Sequence, residues 1–254
     1  EVMQNNIDAI MAQREATGQP MIPHLNHPNF GWAVTAEEFM HLRGEQFFEV
    51  YNGHPSVRNE GDETHASTER FWDIVLTWRL GVLDLPVMYG IATDDAHHYH
   101  EEAVGKSNAG RGWVMVRSKY LTPEHLIRSM EVGDFYASSG VNVNEIHHDA
   151  KGIQLMIDAE ADVHYTTYFI GTLNDFDPAH EPLRAGNGDP VRVTHRYSDS
   201  VGMVLAKVNG HTPSYTFNGD EIYVRAKVVS TKRMKNPYKE GEVECAWIQP
   251  IVLN

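Results

Sequence analysis

The spacing of apolar residues changes character along the chain. Ile7, Ile10 and Met11 fall at i, i+3 and i+4, which predicts an amphipathic helix over residues 2–17 closed by Gly18. A short apolar run follows at 21–24, ended by Pro28. Thr35 before Glu37 and Glu38 reads as an N-cap, with a helix running to about residue 43. Residues 47–51 predict a strand and Asn52-Gly53 its turn. Ser67, Thr68, Glu69 and Arg70 open a longer helix that runs through Trp72, Val75, Leu76 and Leu80. Residues 86–92, apolar and closed by polar residues, read as a buried strand. Helix and strand thus alternate over residues 1–95, which predicts βαβ units and a parallel sheet. Three such strands cannot close a barrel, and a parallel sheet needs both faces covered, so this region reads as the later part of a larger unit.

Residues 113–118 predict another strand. Thr122-Pro123-Glu124 starts a helix with proline at its first turn, ending near Gly133. Beyond Gly140 no helical period remains. Apolar stretches at 153–157, 165–170, 191–194, 203–208, 214–217, 222–229 and 244–249 are separated by Gly, Asp, Asn and Pro turns. Regularly spaced short strands predict a β-sandwich. The expected division is 1–140 and 141–254.

Composition narrows the function classes. The chain is 41% hydrophobic and 22% charged over 254 residues, which suits a globular protein with a core. A net charge of −14 opposes binding to a nucleic-acid backbone. It permits a small phosphorylated substrate, because a bound cation inverts the local field. A single cysteine, Cys245, rules out an internal disulfide framework and a cysteine-rich zinc site. No apolar run is long enough to predict a membrane span, and the N-terminus shows no signal-peptide pattern. Compartment and oligomeric state stay open.

The candidate chemistry lies after the 86–92 strand. Asp94, Asp95, His97, His98 and His100 crowd into seven residues. An earlier group, His24, Asn26 and His27 before Pro28, has the same form. Histidine with carboxylate suits a divalent transition metal, with zinc, manganese and iron all open. Asp95 and His97 alternate along extended chain and can face one side, and His27 sits at a strand end. Asp94 either joins them or orients a ligand. Glu49 follows two phenylalanines in a strand, so its carboxylate is expected to be buried and paired or coordinated. Asn52 and His54 belong to the adjoining turn. Arg111, between Gly110 and Gly112, reads as an accessible planar donor for phosphate or carboxylate. His98, His100, His147, His148 and His211 read as solvated surface residues. No nucleophile elbow, Walker loop or dinucleotide fingerprint is present.

His27-Pro28, Phe48-Glu49-Val50-Tyr51 and Asp95-Ala96-His97, in that order and spacing over residues 1–140, resemble the PHP superfamily, named for polymerase and histidinol phosphatase. The wider stretches 24–29 and 93–97, with Gly110-Arg111-Gly112-Trp113 and a C-terminal β region, are similar to a bacterial branch of PHP-like hydrolases. The resemblance implies an α/β fold: part of a distorted, TIM-like (βα)7 barrel, followed by an all-β sandwich-like domain. It implies up to three divalent metals at the barrel mouth and phosphoester hydrolysis by a metal-bound hydroxide. His27, Asp95 and His97 match its metal ligands. Glu49 matches a position that is not usually a direct ligand, and His24 has no clear counterpart. The family's opening His-x-His, early Asp or His, and bridging Glu find no place here, so the chain matches the last three barrel strands.

The expected function is therefore metal-dependent hydrolysis of a small phosphate ester, with an incomplete metal site in this chain. Asp94 and Arg111 serve the chemistry, and His24, Asn26, Glu49, Asn52 and His54 lie behind the ligands or against substrate. The rivals are an amide or ester hydrolase with the same metals, and an inactive protein whose sandwich binds a ligand or partner.

Overall fold

The computed structural model describes residues 1–253. Helix α1 (Val2–Thr17) ends on Gly18, whose φ of 64° is the left-handed cap conformation. Helix α2 (Ala36–Phe39) starts with a capping box between Thr35 and Glu38. Strand β1 (Phe47–Asn52), helix α3 (Thr68–Gly81) and strand β2 (Tyr89–Thr93) follow. Then come β3 (Trp113–Val116), α4 (Pro123–Glu131), β4 (Phe135–Ser138), β5 (Val143–Asp149), β6 (Gly152–Ile157) and β7 (Tyr165–Leu173). The chain finishes with β8 (His180–Glu181), β9 (Arg196–Tyr197), β10 (Met203–Asn209), β11 (Ser214–Thr216), β12 (Glu221–Arg233) and β13 (Val243–Val252).

Antiparallel pairing dominates. Six strands form one sheet in the order β10-β7-β12-β13-β4-β3, and three form another in the order β11-β6-β5. Every pair in both is antiparallel. Among the described residues, only β1 and β2 pair as parallel named strands. The expected partial (βα)7 barrel is therefore not formed: among the described residues four α-helices accompany a mostly antiparallel structure, and an all-β class describes the chain better. The parallel pairing does not extend beyond β2, because β3 pairs antiparallel with β4, and β4 pairs antiparallel with β13. The six-stranded sheet thus takes strands from both sides of Gly140.

Side-chain alternation explains the layers. On β12, Val224, Ala226 and Val228 pack with Ile153, Leu155 and Ile157 of the smaller sheet in one core. Tyr223, Arg225 and Lys227 point the other way, toward α3, where they meet Asp73 and Glu69. Tyr223, Trp247 and Ala137 join Phe71, Trp72, Val75, Phe39 and Phe48 in the second core. Helix α3 is buried on nearly every face, so its polar residues must be satisfied internally. Thr77 shares a hydroxyl hydrogen bond with Thr172, 2.8 Å.

Three local expectations change, and one is that no strand forms at 191–194. The helix after Thr35 stops at Phe39, because Arg79 takes the Met40 and Leu42 carbonyls at 3.1 and 2.7 Å. The apolar run at 21–24 is not a strand; Leu25 alone bridges to Phe48, in parallel. Among the described residues, no helix is long and apolar enough to cross a membrane.

Candidate functional site

Three parallel stretches end side by side. The Leu25 amide donates to the Phe47 carbonyl and the Glu49 amide to the Leu25 carbonyl, both at 3.0 Å. β1 in turn pairs with β2, and the Gly53 amide donates to the Thr93 carbonyl at 2.9 Å. The chain leaves these carboxyl ends at His27, Asn52 and Asp95. In open sheets that edge is where parallel strands present ligand-binding residues.

Glu49, buried on β1, organises the site from below. One carboxylate oxygen accepts from the His27 amide at 2.7 Å and from Asn52 Nδ2 at 2.8 Å. The other lies 3.6 Å from His24 Nε2. Burial alone pushes this carboxyl upward, but the bonds from His24, Asn52 and the His27 amide outweigh it and hold it below the usual carboxylate range. Asn52 Nδ2 also reaches Asp95 Oδ2 at 3.3 Å, and Asn52 Oδ1 accepts from the His54 amide at 2.8 Å. Glu49 and Asn52 therefore position the other residues.

Asp95 stands at the centre. Its Oδ2 lies 4.0 Å from His27 Nε2, and its Oδ1 lies 3.7 Å from His97 Nδ1. His27 and Asp95 both have positive φ, 21° and 47°, a region that costs energy in a non-glycine residue and concentrates at functional sites. His54 packs edge-on to His97 with ring centroids 5.5 Å apart. Burial, then the neighbouring histidines, lower the His54 pKa against the pull of Asp95. Asn26 is exposed, outside this bonded set.

Two predicted residues serve the scaffold. Asp94 Oδ2 accepts from the Gly110 amide at 2.7 Å, closing the base of the loop between β2 and β3. Arg111 is 0% exposed. Its guanidinium donates to the carbonyls of Gly53 (2.9 Å), Asn236 (2.8 Å), Ala103 (3.2 Å), Pro237 (3.1 Å) and Lys106. It also reaches the side chains of Asn108 and Asn236, each at 3.1 Å. With its donors spent on the protein, Arg111 does not present an accessible group to a substrate, contrary to its sequence reading. Glycine at 53 permits this clamp, since a Cβ there would lie 2.5 Å from Arg111 Cβ.

No family model matches the chain, and no curated protein matches it in sequence. A solved structure with detectable similarity is a two-domain protein containing a predicted PHP-like metal-dependent phosphoesterase from Bacteroides vulgatus ATCC 8482. It is 12% identical, with a TM-score of 0.29, over 93% of this chain. The chain spans 64% of that protein's length. At that TM-score the likeness supports neither a fold nor an activity for this chain.

The donor set falls short of the expected metal site. Among the described residues, no three His, Cys, Asp or Glu side chains are arranged to hold a metal ion. His97 Nδ1 is bonded to the Asp95 carbonyl at 2.7 Å, and His97 is mostly exposed. The side chains offer a pair, His27 and Asp95, where three ligands of a partial site were expected. One neighbouring residue escapes the sequence reading. Phe30, 48% exposed, sits edge-on to His27 with centroids 5.3 Å apart and to His54 at 6.4 Å. One aromatic residue after a His-Pro-Asn turn carries no pattern that separates a site residue from a core residue.

Proposed function

We propose that this chain is a metal-dependent hydrolase whose substrate class is the phosphate ester. Its working centre is the group His27, Asp95 and His97, and the cofactor is a divalent ion such as zinc, manganese or iron. The observation that carries the reading is the meeting of His27 with Asp95 at the ends of parallel stretches, both at positive φ and both held from below by Glu49 and Asn52. Imidazole and carboxylate are the ligand types such ions take. Buried carboxylate and amide groups behind them are the usual means of fixing ligand orientation.

The test is elemental analysis of the purified chain beside Asp95→Asn and His27→Ala, with phosphatase and esterase assays on the same samples. Bound metal that both substitutions release, with phosphatase activity lost in parallel, supports the reading. Esterase activity without phosphatase activity moves the substrate class to carboxylic esters or amides. No metal and no turnover in the parent chain overturns the reading and leaves a binding protein.

A further inference from the structure

The rings around Asp95 form a partial collar. Phe30 meets His27 and His54 edge-on, at 5.3 and 6.4 Å between centroids, and His54 meets His97 at 5.5 Å. Phe30 is the apolar member, and about half of its surface stays open to solvent at 48%. Its position is built rather than incidental. The Phe30 amide donates to the His27 carbonyl at 2.9 Å. Asn29, buried next to it, donates to the carbonyls of Arg58 and Ala66 at 2.9 and 3.0 Å, which ties this turn to the loop before α3. Gly31 and Trp32 then turn back through positive φ, 60° and 54°. Trp32 leaves the collar to stack on His65 at 3.8 Å, with the Arg58 guanidinium over its ring at 5.0 Å. An exposed phenyl ring held against two imidazoles favours a flat apolar partner, because aromatic faces pair edge-on or offset with a gain beyond simple area burial.

We propose that Phe30 sets substrate preference, so that the site selects phosphate esters whose alcohol portion is aromatic over those with a small alkyl alcohol. This rests on the hydrolase reading for its chemistry, but the collar can be tested by binding alone. The ester oxygen's substituent lies against the Phe30 ring while the phosphate group faces His27 and Asp95. Phe30 is a specificity residue here and takes no part in the reaction.

Two measurements separate the inference from the reading beneath it. Calorimetric titration compares phenylphosphonate with methylphosphonate, neither of which is hydrolysed, on the parent chain, Phe30→Ala and Phe30→Leu. Steady-state assays compare phenyl phosphate with glycerol phosphate on the same proteins. The expected result is tighter binding of phenylphosphonate than of methylphosphonate, by about 3- to 10-fold, lost in Phe30→Ala. The kcat/KM ratio for the aryl over the alkyl ester falls by a similar factor, mainly through KM. Because Phe30 is half exposed, Phe30→Leu keeps the apolar surface and controls for folding. Equal binding of the two phosphonates by the parent chain overturns the inference, whatever the assays give. Selective phenylphosphonate binding without turnover of either ester overturns the hydrolase reading and leaves the collar standing.

Discussion

Gln249 on β13 gives both ends of its amide to one residue, Gly90 on β2. Its Oε1 accepts from the Gly90 amide at 2.9 Å and its Nε2 donates to the Gly90 carbonyl at 2.8 Å. These bonds satisfy the outer edge of the short parallel pair and join it to the six-stranded antiparallel sheet. Gln249 is buried, so its loss leaves two backbone groups without partners and without water. Gln249→Leu is expected to cost roughly 2–6 kcal/mol, one desolvation penalty for each orphaned group. A urea titration checks this: the midpoint falls while the slope holds.

Asp73 and Arg225 form the pair that fixes α3 to the same sheet. Arg225 Nε and Nη2 each reach an Asp73 oxygen at 2.7 Å, and Tyr223 donates to Asp73 at 2.9 Å. Arg225 is also stacked over Trp72 at 4.8 Å and lies 4.0 Å from Glu69. Desolvation opposes its charge, but Asp73 more than restores it, and its pKa stands above the usual arginine value. Removing one partner strands a buried charge, so Asp73→Ala is expected to destabilise by about 3–5 kcal/mol. Replacing both, as Asp73→Leu with Arg225→Met, is expected to cost less than Asp73→Ala alone. A thermal-denaturation cycle of single and double variants measures the coupling, and strict additivity would count against the pair.

Much of this arrangement is legible in the amino-acid sequence. Helices α1, α3 and α4 lie where apolar period and caps placed them, and Gly18, Thr35 and Ser67 act as the capping residues their types predict. The strands at 47–52, 89–93, 152–157, 165–173 and 221–233 follow from their own apolar runs. Strand pairing was not legible. Residues 135–138 look the same in sequence whether they extend a parallel sheet or join β13 antiparallel, because the choice depends on contacts over a hundred residues away, and β3 follows β4 into that sheet. At the site, residue types drew attention to His27, Asp95 and His97, and the fold brings them near one another. Arg111 reads differently for a physical reason: a lone arginine between glycines looks accessible, yet distant segments close over it, with Gly53 so near that a Cβ there would lie 2.5 Å from Arg111 Cβ.

Glu45 gives the fold a pH dependence of its own. It is buried before β1, and its carboxylate accepts from the Phe47 amide at 2.9 Å. Burial outweighs that bond and the pull of His24 and Arg79, raising its pKa from an ordinary 4.5 to about 7. Below pH 4.5 the group is protonated whether the chain is folded or unfolded. As the pH climbs past 4.5 the unfolded chain ionises first, so the folded state loses stability until Glu45 itself ionises near pH 7. That window removes about 3 kcal/mol. Glu45→Gln keeps the acceptor oxygen without the titration. It is expected to be more stable than the parent at pH 8 and closely matched at pH 4, in melts at both values. An unchanged difference between the two pH values would show that Glu45 ionises normally.

Arg111 holds the loop that carries Asp95 and His97. Its clamp reaches carbonyls at 53, 103, 106, 236 and 237. Asn108 accepts from it while donating to the His98 and Glu101 carbonyls at 2.9 and 2.8 Å. Inside that enclosure, the His97 and His98 amides both reach the Ser107 carbonyl at 2.9 Å. Lysine cannot replace this, because one ammonium with three donors lacks the planar fork that serves several directions at once. Arg111→Lys is therefore expected to cost about 3 kcal/mol in stability. The loop between residues 94 and 112 should become the first site of cleavage in limited proteolysis, while the sheets stay resistant. Fragment masses locate the cut. A variant that keeps the parent's melting point and protease pattern but loses turnover would instead place Arg111 at the substrate, and the clamp would not be its role.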